Sequence, residues 1–319
     1  MKDCNRIRDK MPEHRKKEIR FIVLMLIIPV LHFLLFWVWP NSKSILMAFQ
    51  VPGKSGFSLV NFQRFWDELT IKGSTLLPSI KNTLLLFFFG NFINLPIVIF
   101  LSYTLHKKIA GYKVFRVIFY LPSILGSSVM GALYRYCVST GGPLDALLQN
   151  IGVEYNRQLG LLGNPDTVFM MIIIYTLWCG VGVNMIMLNG AMSRIPTEVL
   201  ESARMDGVGF WREFFQIICP LIWPTITTLL VFGMAGIVRV KCPSSVMVNY
   251  GATMLLAPDV PEASTVGWYI VRFTMSAGAS SNEIFNYPAA VGLVFTAIGL
   301  PLVLLTKRLC ERITAQVEY

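Results

Sequence analysis

The chain has 319 residues, of which 54% are hydrophobic and only 14% are charged, and its mean hydropathy is +0.58. Soluble domains carry about 25% charged residues, so this composition excludes an ordinary soluble protein and indicates several membrane spans. The formal net charge is +10. Because the basic residues lie mainly beside apolar runs, they favour contact with lipid at the inner membrane surface over binding of nucleic acid.

The N-terminal region predicts a basic segment followed by a retained first span. Residues 1–20 are rich in lysine and arginine, and the apolar run Phe21–Trp39 follows. We interpret 1–20 as a basic cytoplasmic N-terminus. A cleaved signal peptide is the alternative, but the run is longer than a typical signal and no small-residue cleavage site follows it.

Residues 41–80 are of mixed composition and contain a false nucleotide motif. Gly53-Lys54-Ser55 matches the end of a P-loop, but Ala48 stands where the first glycine of that motif belongs, and no strand pattern leads into it. We therefore predict no nucleotide binding in this segment. Phe57–Trp66 resembles the short amphipathic segment that precedes the second span in sugar-type permeases.

Three further spans precede the most polar stretch of the chain. Their predicted limits are Asn82–Thr104, Arg116–Val138 and Val168–Leu188. Asn91, Asn94 and Pro96 interrupt the first of these three. Since polar groups at membrane depth usually face protein or water, we expect both asparagines to be turned away from lipid.

Residues 194–220 separate the fourth span from the fifth and follow a long pattern, E-[AS]-A-x3-G-x9-I-x-x-P. Its defined positions are Glu201, Ser202, Ala203, Gly207, Ile217 and Pro220. We predict a helix with Thr197 near its N-cap and Gly207 at a sharp turn, because glycine takes a positive φ at no steric cost. Glu201, Ala203 and Gly207 are predicted to share one face. Four aromatic residues then predict an apolar face: Phe210, Trp211, Phe214 and Phe215.

Two spans complete the chain. Phe215–Val238 is predicted to be broken by Pro220 and Pro224, and Tyr287–Thr306 is followed by a tail at 313–319. The short segments richest in lysine and arginine all fall on one side of this arrangement. The positive-inside rule therefore places both termini and residues 194–220 in the cytoplasm.

The pattern in residues 194–220 resembles the EAA loop of ABC-importer permeases, a cytoplasmic helix-turn-helix that receives force from an ATPase. Ser202 and Cys219 are mild departures from that loop, where alanine and leucine are commoner. Phe119-Tyr120-Leu121-Pro122 resembles the F-[FY]-L-P signature of the carbohydrate class of these permeases. From about residue 20 to 312 the chain resembles the maltose permease MalF and, more closely, the LplB-type proteins.

This resemblance implies an all-α, polytopic membrane protein with six transmembrane helices, the type I ABC importer permease fold. The permease domain would span residues 21–312. The chain would lie in the cell membrane of a bacterium and pass a sugar or oligosaccharide inward by alternating access. Its implied partners are a second homologous permease, two ABC ATPase subunits and an extracytoplasmic solute-binding protein. The chain itself would be no enzyme and would hold no cofactor and no metal, because ATP would bind to the partner ATPase.

The resemblance also assigns roles to residues of the EAA-like loop. Glu201 would be the charged contact to the ATPase, Ser202 and Ala203 the small residues at the close-packed surface, and Gly207 the turn. Asp206 would add a contact at the rim. An amphipathic connector without a partner is the alternative for this stretch.

The solute path is the least determined part of the prediction. Sugars are bound by planar polar groups and by aromatic rings, and the later spans offer candidates, although ordinary packing is the alternative for each. These candidates are Tyr175, Trp178, Asn184, Trp223 and Thr227. Arg239 and Lys241 either attract an acidic solute or anchor a helix at the membrane surface. A disulfide between Cys137 and Cys242 stays open.

Three other functions compete with a sugar permease. An ABC permease for a non-sugar solute shares the EAA loop. An ion-coupled secondary transporter usually needs acids or bases within its spans, and the predicted second, fourth and sixth spans contain none. A membrane enzyme is disfavoured because neither the H-E-x-x-H nor the G-x-S-x-G motif occurs.

Overall fold

The computed structural model describes residues 13–51, 56–152, 156, 158–238, 256–257, 260–276 and 285–314. Within these ranges every regular element is a helix, and the only strand-like pairing is an isolated bridge between Gln50 and Phe57. The P-loop-like residues 53–55 lie outside the described residues, as do Arg239, Lys241, Cys242 and most of the predicted tail. Cys137 has a free thiol.

The helices are numbered in chain order. The first nine are α1 Glu13–Phe33, α2 Trp39–Phe49, α3 Val60–Thr70, α4 Leu76–Phe88, α5 Asn94–His106, α6 Tyr112–Ile124, α7 Ser127–Val138, α8 Pro143–Ile151 and α9 Gly160–Gly163. The others are α10 Pro165–Met192, α11 Thr197–Met205, α12 Phe210–Glu213, α13 Cys219–Leu221, α14 Trp223–Val238, α15 Val266–Ser276 and α16 Asn286–Thr314. Three π-helical turns also occur, at Leu34–Val38, Phe89–Ile93 and Phe214–Ile218.

Four uninterrupted helices are long and apolar enough to cross a membrane. They are Lys17–Phe49, Leu76–His106, Pro165–Met192 and Asn286–Arg312. Two bent pairs of helices pass the same test together, so the described residues provide six spans when each pair crosses once. The predicted all-α membrane fold with six spans is confirmed, whereas the predicted limits are shorter than the helices observed.

The helix that contains the predicted first span does not end at Trp39 but continues to Phe49. A proline usually ends a helix, since it lacks an N–H and its ring clashes with the carbonyl four residues earlier. Here the π-helical turn Leu34–Val38 precedes Pro40, and the Trp39 N–H donates to the Leu34 carbonyl. The wider turn carries the helix past the proline.

The predicted third and fifth spans are bent rather than straight. α6 and the helices that follow it meet at 115°, because the backbone is extended at Leu125 and Gly126. The fifth span bends by 71° after Leu221, between Pro220 and Pro224, where a break was predicted. Each bend divides its span into two helical parts.

Two glycines make room for polar side chains where the long helices pack against each other. A Cβ atom on Gly233 of α14 would lie 1.7 Å from Asn91 Oδ1, and one on Gly180 of α10 would lie 2.6 Å from Asn94 Nδ2. Asn91 and Asn94 are only 9% and 5% exposed. The expectation that both face away from lipid is confirmed, and the absence of a Cβ at the two glycines makes that approach possible.

The amphipathic segment predicted at Phe57–Trp66 is α3, shifted towards the C-terminus. Glu68 near its end accepts hydrogen bonds from the hydroxyl of Tyr269 in α15 and, at 2.6 Å, from the hydroxyl of Tyr287 in α16. Burial, together with the hydrogen bond to Glu68, raises the pKa of Tyr269 to about 12. At the other end of α3, Asn61 donates to two backbone carbonyls near the end of α2. α3 is therefore fastened to both the first and the last long helix.

Candidate functional site

The residues of the EAA-like pattern form a helical hairpin between α10 and α14. Pro196 is the N-cap of α11 and Thr197 is the first residue of the helix, so Thr197 lies next to the N-cap as predicted. Glu198 lies in the first turn, where the helix dipole favours an acidic side chain. α11 is nine residues long and exposes most of its polar residues.

Gly207 ends α11 in the conformation that was predicted. Its φ is +70°, in the left-handed region that glycine adopts without steric cost. The Gly207 N–H donates to the Arg204 carbonyl and the Val208 N–H donates to the Ala203 carbonyl. These two bonds form a Schellman motif, which satisfies carbonyls that would otherwise be unpaired at the end of the helix.

The predicted common face of Glu201, Ala203 and Gly207 is not present. Residues two apart on a helix point in nearly opposite directions. Accordingly, Glu201 and Ser202 are exposed, whereas Ala203 is 6% exposed and packs into its own chain. The carboxylate of Glu201 makes no hydrogen bond or ion pair within the described residues, and neither does that of Asp206. The exposed surface of α11 thus carries free carboxylates, together with one arginine and one methionine side chain.

A buried ion pair holds the second half of the hairpin, and the sequence reading missed it. Glu213 at the end of α12 is 3% exposed, and its Oε2 atom lies 2.6 Å from Nζ of Lys107, the residue that follows α5. Glu213 is an acid within an aromatic run, and this was the only available signal. Lys107 lies in one of the short basic segments that the positive-inside rule predicts to be cytoplasmic, which gives no sign of a partner.

The four aromatic residues of the hairpin do not form one face. Phe214 is 5% exposed and belongs to a core cluster, whereas Trp211 and Phe215 are 59% and 62% exposed. Phe100 of α5 stacks on Trp211 at a ring-centre distance of 5.6 Å, and Trp211 stacks on Phe215 at 6.2 Å. The aromatic residues therefore pack the hairpin against α5 and leave the rings of Trp211 and Phe215 largely exposed.

The predicted solute-path residues fall into two separate regions. Tyr175 is buried, with its ring 5.0 Å from that of Tyr134, and Trp178 packs against the same cluster. Trp223 packs against a different cluster, formed by α5, α10, the third π turn and α14. Asn184 is half-buried. Among the described residues, Tyr175 and Trp178 thus pack in one cluster and Trp223 packs in another.

Trp223 and Thr227 share one distinctive property. Nε1 of Trp223 and Oγ1 of Thr227 are buried, and neither has a hydrogen-bond partner within the described residues. Residues four apart lie on the same side of a helix, so both atoms belong to one side of α14. The next hydroxyl, that of Thr228, donates to the Pro224 carbonyl at 2.9 Å.

Two cavities occur elsewhere. One, of about 300 Å³, is lined by Arg135, Ser139, Thr140 and the residues of α9, among others. The other, of about 720 Å³, is lined by the start of α4 and by Glu262. None of the predicted path residues contributes to either cavity.

Comparison with known proteins identifies what this arrangement is similar to. The chain is 27% identical over 303 residues to the polygalacturonan/rhamnogalacturonan transport system permease protein YteP of Bacillus subtilis, covering 92% of this chain and 88% of that one. It is 22% identical over 286 residues to the arabinooligosaccharides transport system permease protein AraP of the same organism, covering 88% and 85%.

A solved structure has the same fold. A chain of a bacterial ABC transporter involved in the import of the acidic polysaccharide alginate superposes with a TM-score of 0.77 at 24% identity, covering 93% of this chain and 97% of that one. The family model for the binding-protein-dependent transport system inner membrane component matches residues 19–317. Since that match takes in nearly the whole chain, the protein belongs to the family of binding-protein-dependent transport system inner membrane components.

Proposed function

We propose that this chain is the membrane subunit of an ATP-driven importer that passes a sugar or oligosaccharide from an extracytoplasmic binding protein across the cell membrane of a bacterium. The observation that carries the coupling part of the proposal is α11, a short helix with free carboxylates on its exposed surface and a glycine-closed end. The names of the relatives carry the solute class. The family makes an ion-driven secondary transporter or a membrane enzyme the weaker explanations.

The proposed assembly contains a second homologous permease and two ABC ATPase subunits, with ATP bound by the ATPases. Both termini and the coupling loop 194–220 face the cytoplasm, and residues 21–312 form the permease domain. Glu201 pairs with a basic residue of the ATPase, with Ser202 beside it and Asp206 at the rim. Ala203, being buried, supports this surface by packing α11 against its own chain rather than by touching the partner.

Charge reversal tests the docking surface. The Glu201→Lys variant should lose the ATPase on purification with its partner subunits, because a cation would face the basic residue that Glu201 attracts. Glu262→Lys is the matched control, since Glu262 is also exposed but lies outside the segment 194–220. Equal recovery of the ATPase with the wild-type chain and the Glu201→Lys variant would contradict the proposal.

The proposed solute path includes Trp223 and Thr227, whose buried polar atoms lack partners that a sugar hydroxyl would supply. We expect Trp223→Phe and Thr227→Val to lower uptake of labelled arabinotriose or digalacturonate while leaving assembly of the complex unchanged. Thr228→Val, which removes a hydroxyl that is already bonded, is the control. Tyr175, Trp178 and Asn184 stay candidates for a different conformation.

A second solute class has one observation in its favour. The sn-glycerol-3-phosphate transport system permease protein UgpA of Yersinia pestis is 25% identical to this chain over 207 residues, covering 63% of this chain. The two oligosaccharide permeases match over a longer part of the chain, which is why a saccharide is proposed. Titration of the partner binding protein with arabinotriose, digalacturonate and glycerol 3-phosphate distinguishes the classes.

A further inference from the structure

The ion pair between Lys107 and Glu213 joins two parts of the chain that are 106 residues apart. The side chain of Glu213 is 4% exposed and that of Lys107 is 21% exposed. Lys107 directly follows the helix Leu76–His106, and Glu213 lies in the hairpin that contains α11. We call residues 194–220 the coupling hairpin. The pair is therefore a charged contact between the coupling hairpin and the end of the second long helix.

Neighbouring contacts act between the same two elements. The Tyr103 hydroxyl donates to the Phe210 carbonyl at 3.4 Å, and Nζ of Lys107 lies 5.6 Å from the centre of the Tyr103 ring. Phe100, one turn earlier in α5, stacks on Trp211. Movement of the hairpin relative to α5 would have to break the ion pair and slide these stacked rings past one another. We therefore expect the two elements to move as one unit.

Stability alone is a poor explanation for a pair of this kind. Removing two charges from water costs as much as or more than their attraction returns, and apolar replacements are often equally stable. Immediately after Glu213 the chain forms the π turn Phe214–Ile218 and then bends by 71°. The pair thus fixes the hairpin immediately before the chain departs from regular α-helical geometry.

We propose that Lys107 and Glu213 are positioning residues for transport, which transmit displacement of α11 to the Leu76–His106 helix. This rests on the proposed coupling to an ATPase. Displacement imposed on α11 reaches α12 through the short turn at Gly207 and then passes across the ion pair into α5. Without the pair, α11 moves while the bundle does not follow, so ATP is hydrolysed without solute movement.

The test separates folding from transmission. Lys107→Met alone leaves Glu213 buried and unpaired, so this variant should assemble poorly. The double variant Lys107→Met with Glu213→Leu removes both charges and should assemble normally, because no buried charge is left without a partner. In proteoliposomes made with the partner subunits and binding protein, we expect the double variant to hydrolyse ATP. Its uptake of labelled oligosaccharide per ATP should fall about tenfold, equivalent to about 1.4 kcal/mol.

The control is a second ion pair in the same chain. Lys307 and Glu311 lie one turn apart on α16, with side chains 55% and 57% exposed, so Lys307→Met should change neither assembly nor uptake per ATP. The proposal is overturned when the double variant assembles and its uptake per ATP equals that of the wild type. It is also overturned when assembly of the complex and uptake per ATP fall in parallel, which is the result that a purely structural role predicts. Failure of the proposed function itself would appear in the wild-type complex, as absence of ATP hydrolysis, and would remove this inference with it.

Discussion

Replacement of Gly207 should weaken the coupling hairpin through the backbone alone. An added Cβ atom would meet nothing within 4 Å, so no steric clash with the rest of the chain contributes. The cost comes from φ, which is +70°. An L-residue in the left-handed region costs roughly 1–2 kcal/mol, less for asparagine and more for a β-branched residue. Such a cost changes the ratio of formed to unformed hairpin by a factor of roughly 5–30.

We therefore expect uptake to fall in the order glycine, asparagine, alanine, valine at this position. The assay is uptake of labelled oligosaccharide by cells producing the complete importer, with the amount of complex measured in parallel. Because the Schellman bonds of Gly207 and Val208 are the only contacts affected, the melting temperature of the purified complex should change little. The Gly207→Leu variant should hydrolyse ATP with little transport.

Gly209 provides the control within the same hairpin. It is also exposed, and a Cβ atom there would meet nothing within 4 Å, but its φ is −74°, which any residue adopts. Gly209→Ala should transport normally. The reasoning is refuted when Gly207→Val transports as well as the wild type, or when Gly209→Ala loses as much activity as Gly207→Ala.

Two predictions concern contacts between the long helices. Gly233→Ala should lower the melting temperature of the purified complex, because its Cβ would lie 1.7 Å from Asn91 Oδ1 and overpacking costs about 1–3 kcal/mol. Gly236 lies one turn later, and a Cβ atom there would meet nothing within 4 Å, so Gly236→Ala should leave the melting temperature unchanged. An equal decrease in both variants would contradict the prediction. Asn82→Leu should also destabilise the complex, since Nδ2 of Asn82 donates to two backbone carbonyls at 2.6 and 2.8 Å in the segment before α15. Each lost bond is worth about 1 kcal/mol, and a melting curve identical to that of the wild type would refute its role.

The class of fold was accessible from the sequence because the membrane imposes a strong pattern. Long apolar runs and asymmetric charge predicted six spans, and the structure has four straight candidates and two bent pairs. The position of Gly207 was equally accessible, since a turn after a short polar helix requires a residue that tolerates a positive φ. Both predictions depended on local properties of the chain.

The long-range contacts were not accessible in the same way. No periodicity connects Lys107 with Glu213, and only the folded chain brings α5 next to α12. The face that α11 buries was also misjudged, because a helix of nine residues offers too few positions for a clear apolar stripe. Ala203 reads equally well as a docking position and as a packing position until its neighbours are known.

Two prolines of the predicted spans follow π-helical turns. Pro40 was predicted to end the first helix and Pro96 was placed inside the second span, and both lie in continuous helices after a π-helical turn. In each case the carbonyl four residues before the proline, that of Phe36 or Phe92, lies inside the turn. Just before the proline, the Trp39 N–H donates to the Leu34 carbonyl and the Asn94 N–H donates to the Phe89 carbonyl, five residues back, so the helix is locally widened there and continues past the proline.

Pro220 follows the same rule at the coupling hairpin. Gln216, four residues earlier, lies in the π turn Phe214–Ile218, and the Cys219 N–H donates to the Phe214 carbonyl. Pro301, in contrast, lies inside a regular helix, so a proline alone does not create a π turn. At Pro220 the turn is flanked by the buried Glu213 on one side and by the bend before α14 on the other. The π turn is a weak point of the helix, and it lies next to the ion pair. Displacement of α11 would therefore change the angle of the fifth span rather than stretch its helix. For this reason a loss of transmission, and not of folding, is the decisive outcome for the Lys107 and Glu213 double variant.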